Sequence, residues 1–269
     1  MDVKTTYSGV NSGRGPSFSI WGDCPLLDID TDPNIGYGFF DDFMSIPKTA
    51  PTTEGNFGQY RAFTSTGGAI VDGGSLGGSV KISSDGDDEG ASIATNIFPF
   101  NLVTAGGKMW FETRIKVSSI ADTISDVFVG LVDSTALTAT VPITATTPVM
   151  ADINFIGFQR LGTDGDKLDI KYKADGQTVQ TLLADAVTLV ADTYIKVGWK
   201  FDPDAATANR IKFYYDGTLI TTYGTGANMD AVTFPDDVNM GLCFATLNAA
   251  GSITPTATMD WWRCYQLAV

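Results

Sequence analysis

Short apolar runs, broken every few residues by Gly, Asp, Asn and Pro, fill the chain from Phe39 to its end. In Met109–Val117, Met109, Phe111, Ile115 and Val117 alternate with Glu112, Arg114 and Lys116. Side chains of a strand point alternately to its two faces, so this pattern predicts a sheet with one apolar and one wet face. Lys167–Lys173 repeats it, with Leu168, Ile170 and Tyr172 against Asp169, Lys171 and Lys173. Ile195, Val197, Trp199 and Phe201 likewise oppose Lys196, Gly198 and Lys200. Asp126–Val132 and Ile153–Arg160 are apolar on both sides, as strands covered on both faces should be.

Further strands are expected over Phe39–Ile46, Asn56–Phe63, Ser79–Ser83, Ala91–Phe98, Val238–Thr246 and Thr258–Leu267. Arg210–Tyr215 runs into Asp216-Gly217 and then Thr218–Tyr223, a hairpin signal because Gly accepts the positive φ of a type I′ turn. Ala136–Thr147, rich in Thr and Ala, reads as a loop. Many strands and almost no helical period predict an all-β fold, a two-sheet antiparallel β-sandwich over residues 39–269. Residues 1–38 have no such period and recur in turn formers, which predicts an extended N-terminal arm packed on its own domain or on a neighbour. The arm carries Phe18, Ile20, Trp21, Leu26, Leu27 and Ile29 in a stretch too short for a core of its own, which marks them as interface residues.

Composition narrows the chemistry. The chain has 269 residues, 43% of them hydrophobic, and this is enough for a sizeable core. A net charge of −14 repels phosphates and anionic lipid, which argues against nucleic-acid and membrane partners. No histidine is present, and this removes Ser-His-Asp and Cys-His catalysis together with His-based metal sites. Cys24, Cys243 and Cys264 are too few for a disulfide framework and read as buried free thiols. No apolar stretch reaches membrane-spanning length, and the first residues lack the apolar core of a signal peptide.

Trp110-Phe111-Glu112-Thr113-Arg114-Ile115-Lys116-Val117 followed by Phe128-Val129-Gly130-Leu131 resembles adjacent strands of the concanavalin A-like (laminin G/lectin/glucanase) jelly roll. Ile195–Phe201 followed by Ile211-Lys212-Phe213-Tyr214-Tyr215-Asp216-Gly217 resembles that fold's late hairpin. Phe39-Phe40-Asp41-Asp42-Phe43, the run Asp87–Ala94, and Pro99-Phe100-Asn101-Leu102 before Trp110 are similar to bacteriophage virion structural proteins built on the same domain. That resemblance implies a head-decoration or cement protein. It would be made in the host cytoplasm and placed on the head exterior, its arm gripping the major capsid protein or neighbouring copies in a homo-oligomer. The alternative it implies is a carbohydrate-binding module of a tail fibre or cell surface, with a surface glycan as partner.

Glucanases of this fold carry an E-x-D-x-E strand, whose paired carboxyls retaining hydrolysis requires. None occurs here; the nearest strings are Asp28-Ile29-Asp30-Thr31-Asp32 and Asp164–Asp169, and Glu112 stands alone. The expectation is therefore a non-enzyme with no catalytic residue, cofactor or metal. Asp28, Asp30, Asp32 and Asn34 have calcium-loop spacing, but Pro33 replaces the required Gly and Phe39 the final Glu, so they read as solvated or capping residues. Trp110, Tyr214 and Trp262, one of the pair Trp261-Trp262, are the candidate glycan or partner platform.

Overall fold

The computed structural model describes residue 7 and residues 9–46, 55–137, 141–144, 150–206, 209–220, 229–248 and 254–269. Two antiparallel sheets pack face to face. Strand order in the first is β14 (Thr218–Leu219), β13 (Ile211–Tyr215), β12 (Ile195–Phe201), β7 (Met109–Val117), β16 (Thr256–Leu267), β5 (Val80–Ser84) and β4 (Gly68–Asp72). β1 (Gly36–Asp41) pairs with the C-terminal half of β16. The second sheet runs β11 (Gln180–Thr188), β10 (Lys167–Lys173), β9 (Phe155–Arg160), β8 (Ser125–Asp133), β15 (Met240–Asn248), β6 (Gly90–Thr95), β3 (Tyr60–Thr64) and β2 (Gly55–Phe57). This is the two-sheet antiparallel sandwich that the alternation predicts, in the jelly-roll form that the resemblance implies.

The alternating residues meet between the sheets. Phe111, Ile115, Val197, Trp199 and Phe213 from the first sheet bury against Val129, Leu131, Ile156, Phe158 and Ile170 from the second. The Trp199 ring lies 4.1 Å from that of Phe111. Asp216 and Gly217 both take positive φ, 46° and 74°, and close the β13–β14 hairpin as its turn chemistry requires. Residues 221–223 of the expected second hairpin strand lie outside the described residues, as does half of the 136–147 loop, whose described part opens with a 3₁₀ turn over Ser134–Leu137.

Three expectations need correction. The predicted Phe39–Ile46 strand starts earlier and stops at Asp41, so the expected boundary at 38/39 falls inside β1. β4 and β11 have no counterpart among the predicted strands. The outer face of the first sheet is wet only in part: Trp110, Glu112 and Trp261 are buried beneath residues 9–32, while Arg114, Lys116 and Lys200 are partly exposed.

The arm is a folded cover rather than an extended tether. It forms two short helices, α1 (Phe18–Trp21) and α2 (Leu26–Thr31). Ile20 and Trp21 are fully buried and Ile29 nearly so, against Trp110, Tyr214 and Tyr265. Leu26 is partly buried beside them, and only Phe18 and Leu27 stand out, at 49% and 45% exposure. Most of the predicted anchoring surface is thus spent on the chain's own sheet.

The arm is therefore expected to be part of the folding unit. Trp21→Ala should lower unfolding free energy by about 3–5 kcal/mol in denaturant titration, the usual range for a buried Trp. Trp21→Phe, which mainly removes the indole hydrogen bond, should cost about 1–3 kcal/mol. A loss below about 1 kcal/mol for Trp21→Ala would show that the cover is dispensable.

Candidate functional site

β7 places Glu112 on the outer face of the first sheet, between the sheet and the arm. Its Oε2 accepts from the Trp21 indole Nε1 (2.7 Å) and the Ser17 backbone N–H (2.8 Å). Burial pushes the Glu112 carboxyl up, and the bonds from Ser17 and Trp21 and the nearby Lys196 charge oppose that rise. Asp260, fully buried beside the β16 irregularity, pairs with Arg14 (2.7 Å) and Arg114 (2.5 Å). Lys196 Nζ donates to the carbonyls of Asn11 and Gly15. Glu112 is thus a structural receptor for the arm.

The predicted platform is not a platform. Trp262 is buried in the core, its ring packed among Phe39, Phe43 and Tyr60. Trp110 and Tyr214 lie under the arm at 2% and 7% exposure, so neither offers a ring face to solvent. They do meet, however. Both line a small cleft of about 110 Å³ at the margin of the arm, together with Lys108, Lys200, Arg210 and Lys212. Asp23 of the arm forms one wall, and its Oδ1 accepts from Trp110 Nε1 (2.9 Å) and Lys200 Nζ (2.7 Å). Burial alone would raise the Asp23 carboxyl, but the bonds from Lys200 and Trp110 hold it below the usual carboxylate range.

Beside it, at the same end of the sandwich, opens a larger cavity of about 660 Å³. Asn154 before β9 and Asp175 and Gln177 after β10 form one side; Asp230, Asp236 and Asp237, ahead of β15, form the other. Phe234 is the floor, packed edge-on against Tyr172 at 5.1 Å. Burial raises the Asp236 carboxyl, and the neighbouring Asp237 and Asp230 charges add to the rise. The Arg210–Asp230 ion pair (3.2 Å) stands between the two openings, because Arg210 lines the cleft and Asp230 the cavity. Sequence reasoning missed this cavity; the signal is the acidic turn Phe234-Pro235-Asp236-Asp237, whose partners arrive from strands some 60 residues earlier.

On the outer face of the second sheet, Asp164, Asp169 and Asp185 hold ligand atoms within 4.8 Å of one another, the one such metal-compatible group among the described residues. Lys171 already neutralises Asp169 (3.0 Å), and the Asp185 backbone N–H donates to the same carboxylate (2.9 Å). The calcium-like spacing at Asp28–Asn34 does not make a loop: Asp28 and Asp30 sit in α2, Asp30 accepts from the Tyr265 hydroxyl (2.9 Å), and Asp32 accepts from the Asn34 N–H (2.9 Å). The three cysteines are buried free thiols, as expected.

Comparison with known proteins places the architecture. No family model matches the chain, and no curated protein matches it in sequence. Among solved structures, an endo-1,3-beta-glucanase from Streptomyces sioyaensis superposes with a TM-score of 0.56 at 14% identity, covering 86% of this chain and 96% of that one. Peanut lectin gives 0.55 at 11% identity, covering 87% and 99%. The Crh5 transglycosylase gives 0.55 at 15% identity, covering 87% and 86%. The fold is the concanavalin A-like jelly roll of lectins and glucanases. These neighbours overturn the expectation of a non-enzyme, because the same architecture serves a glucanase and a transglycosylase as well as a lectin. They also carry no sign of a virion role.

Buried beside β9, Asp126 tests the electrostatics of the second sheet. Its Oδ1 accepts from the Gly162 N–H (2.7 Å), while its Oδ2 has no partner. Burial pushes its pKa up to about 6, against the Gly162 bond and the Arg160 and Lys171 charges. A carboxyl raised in the folded state stabilises when protonated, so its contribution is full below about pH 4 and disappears as pH rises through about 6. Asp126→Asn should match wild-type stability at pH 4 and exceed it by about 1–3 kcal/mol at pH 7. Parallel denaturation curves at both ends of that range would reject this burial effect.

Proposed function

We propose that the chain binds a carbohydrate in the 660 Å³ cavity at the end of its sandwich. The observation that supports this is the lining itself. Six carboxylate and amide side chains converge over an apolar floor, and sugar hydroxyls satisfy such acceptors in pairs. The volume suits a short oligosaccharide. Four aspartates disfavour anionic ligands there, so the unit held in the cavity is neutral. The lectin and glucanase neighbours favour this reading over a capsid-decoration role, since what they share with the chain is a sugar-handling architecture.

Catalysis on the bound glycan is a second reading, favoured by Asp236. A carboxyl raised by burial and by adjacent Asp237 and Asp230 is a proton donor of the kind glycoside chemistry uses.

Neutral plant, fungal and bacterial oligosaccharides on an array, followed by calorimetry of the best ligand, test the binding site. Asp236→Ala with Asp237→Ala should weaken binding at least about tenfold, the loss expected for one charge-assisted hydrogen bond. Unchanged affinity in that variant, or an array with no bound neutral glycan, would remove the cavity as a sugar site. Shorter products that vanish in Asp236→Asn while binding persists would make it catalytic.

A further inference from the structure

We propose that the cleft over Trp110 and Tyr214 takes the carboxylate of an acidic sugar, so that the bound glycan places a uronate next to the neutral unit in the cavity. The inference rests on the carbohydrate reading above and adds a charge requirement to it.

The first observation is a row of side chains across three strands. Register sets Trp110 of β7 opposite Lys200 of β12, and Lys200 opposite Lys212 of β13, all on the outer face. Two lysines directly opposite on antiparallel strands repel each other, and a sheet does not place them so without compensation. Asp23 compensates Lys200 (2.7 Å), whereas Lys212 has no ion pair among the described residues. An anion seated between them would relieve the repulsion.

The second observation is an unused donor. Arg210 Nη1 faces Asp230, but its Nε is buried and has no hydrogen-bond partner. A buried guanidinium N–H without an acceptor is costly, and here the same side chain lines the cleft. Arginine presents its donors in a fixed fork that matches a carboxylate.

Balance and size specify the ligand. Lys108, Lys200, Arg210 and Lys212 line the cleft against two carboxylates, Asp23 and Asp202, in a chain whose net charge is −14. Lys108 pairs with Asp202 (2.7 Å), Lys200 with Asp23 and Arg210 with Asp230, so three of the four cations are compensated and Lys212 leaves a local excess of one positive charge. A volume of about 110 Å³ admits a carboxylate and its adjoining ring atoms but not a whole disaccharide. Trp110 and Tyr214, though almost wholly buried, line the cleft and offer those ring carbons a narrow apolar contact. Across the Arg210–Asp230 wall the larger cavity is acidic, so the two openings sort a mixed glycan by charge.

Amide NMR titrations with D-glucuronate, D-glucose and inorganic sulfate at constant ionic strength test this without knowledge of any linkage. Glucuronate should shift Trp110, Lys200, Arg210 and Lys212 with a millimolar Kd, and glucose should not. Lys212→Ala should raise that Kd about tenfold and leave neutral-oligosaccharide binding at Asp236 and Gln177 unchanged. No response to glucuronate overturns the proposal whether or not neutral sugars bind. Sulfate binding as tightly as glucuronate, with Trp110 and Tyr214 silent, overturns the sugar assignment. Glucuronate shifts with no neutral-sugar response at Asp236 uphold the cleft and remove the cavity instead.

Discussion

A carboxylate buried on the outside of a sheet governs this molecule. Strand alternation puts Glu112 on the face of the first sheet that faces away from the core, where a carboxylate would ordinarily be hydrated. Here the indole of Trp21 and the backbone N–H of Ser17 replace that water. Once buried, an unpaired carboxylate is costly, so the residues that supply its donors cannot leave without penalty. The Asp260 pair with Arg14 and the Lys196 bonds to the Asn11 and Gly15 carbonyls fasten the same segment at two further points. The consequence is geometric. The arm ends over Trp110 and Tyr214, and Asp23, carried between its two helices, becomes a wall of the cationic cleft.

The sandwich was legible because period-two alternation is a local property, written into every strand whose two faces meet different environments. Met109–Val117 and Ile195–Phe201 show this without ambiguity. Where the backbone breaks its own period, the signal goes. In β11 the pairing with β10 shifts register twice, and Asp185 takes a positive φ of 55°, so Leu182, Leu183, Ala186 and Val187 fall out of alternation. β4 fails for another reason: in Gly68–Asp72 only Ile70 among its larger side chains is fully buried. The platform residues illustrate a third limit. Adjacency correctly sends Trp261 and Trp262 to opposite faces. It does not reveal that the outer face is roofed, because the roof comes from residues far away in the chain, 87 positions from Trp110 and 247 from Trp261. The cavity was illegible on the same ground, since its walls come from segments far apart in the chain.

Net charge speaks to one length scale only. A chain at −14 repels polyanions at long range, and at a distance of about one Debye length, roughly 8 Å in physiological salt, that sum is what an approaching ligand feels. Inside that distance only neighbours count. Four of the chain's 17 cations gather in one cleft, and aspartates gather in the cavity next door. Overall and local charge therefore act on different scales, and a chain at −14 still holds a cationic cleft beside an acidic cavity. A polymer with a carboxylate on every unit would meet both the global field and the acidic cavity. One with charged and neutral units in alternation would meet them in only part of its length.

Both openings lie where the sandwich ends. Strands β7, β12 and β13 deliver the cations from the first sheet, and β9, β10 and β15 deliver the carboxylates through the loops beside them in the second. Rigid strands fix the positions, and turn residues outside the hydrogen-bonded ladders are free to carry polar groups without leaving backbone unsatisfied. Arg210 ties the two sets, because it immediately precedes β13 of one sheet and pairs with Asp230 in the segment leading to the other. An ion pair at that point does more than hold a loop. It joins the acidic cavity to the cationic cleft, and the strand register of the two sheets fixes how far apart they lie.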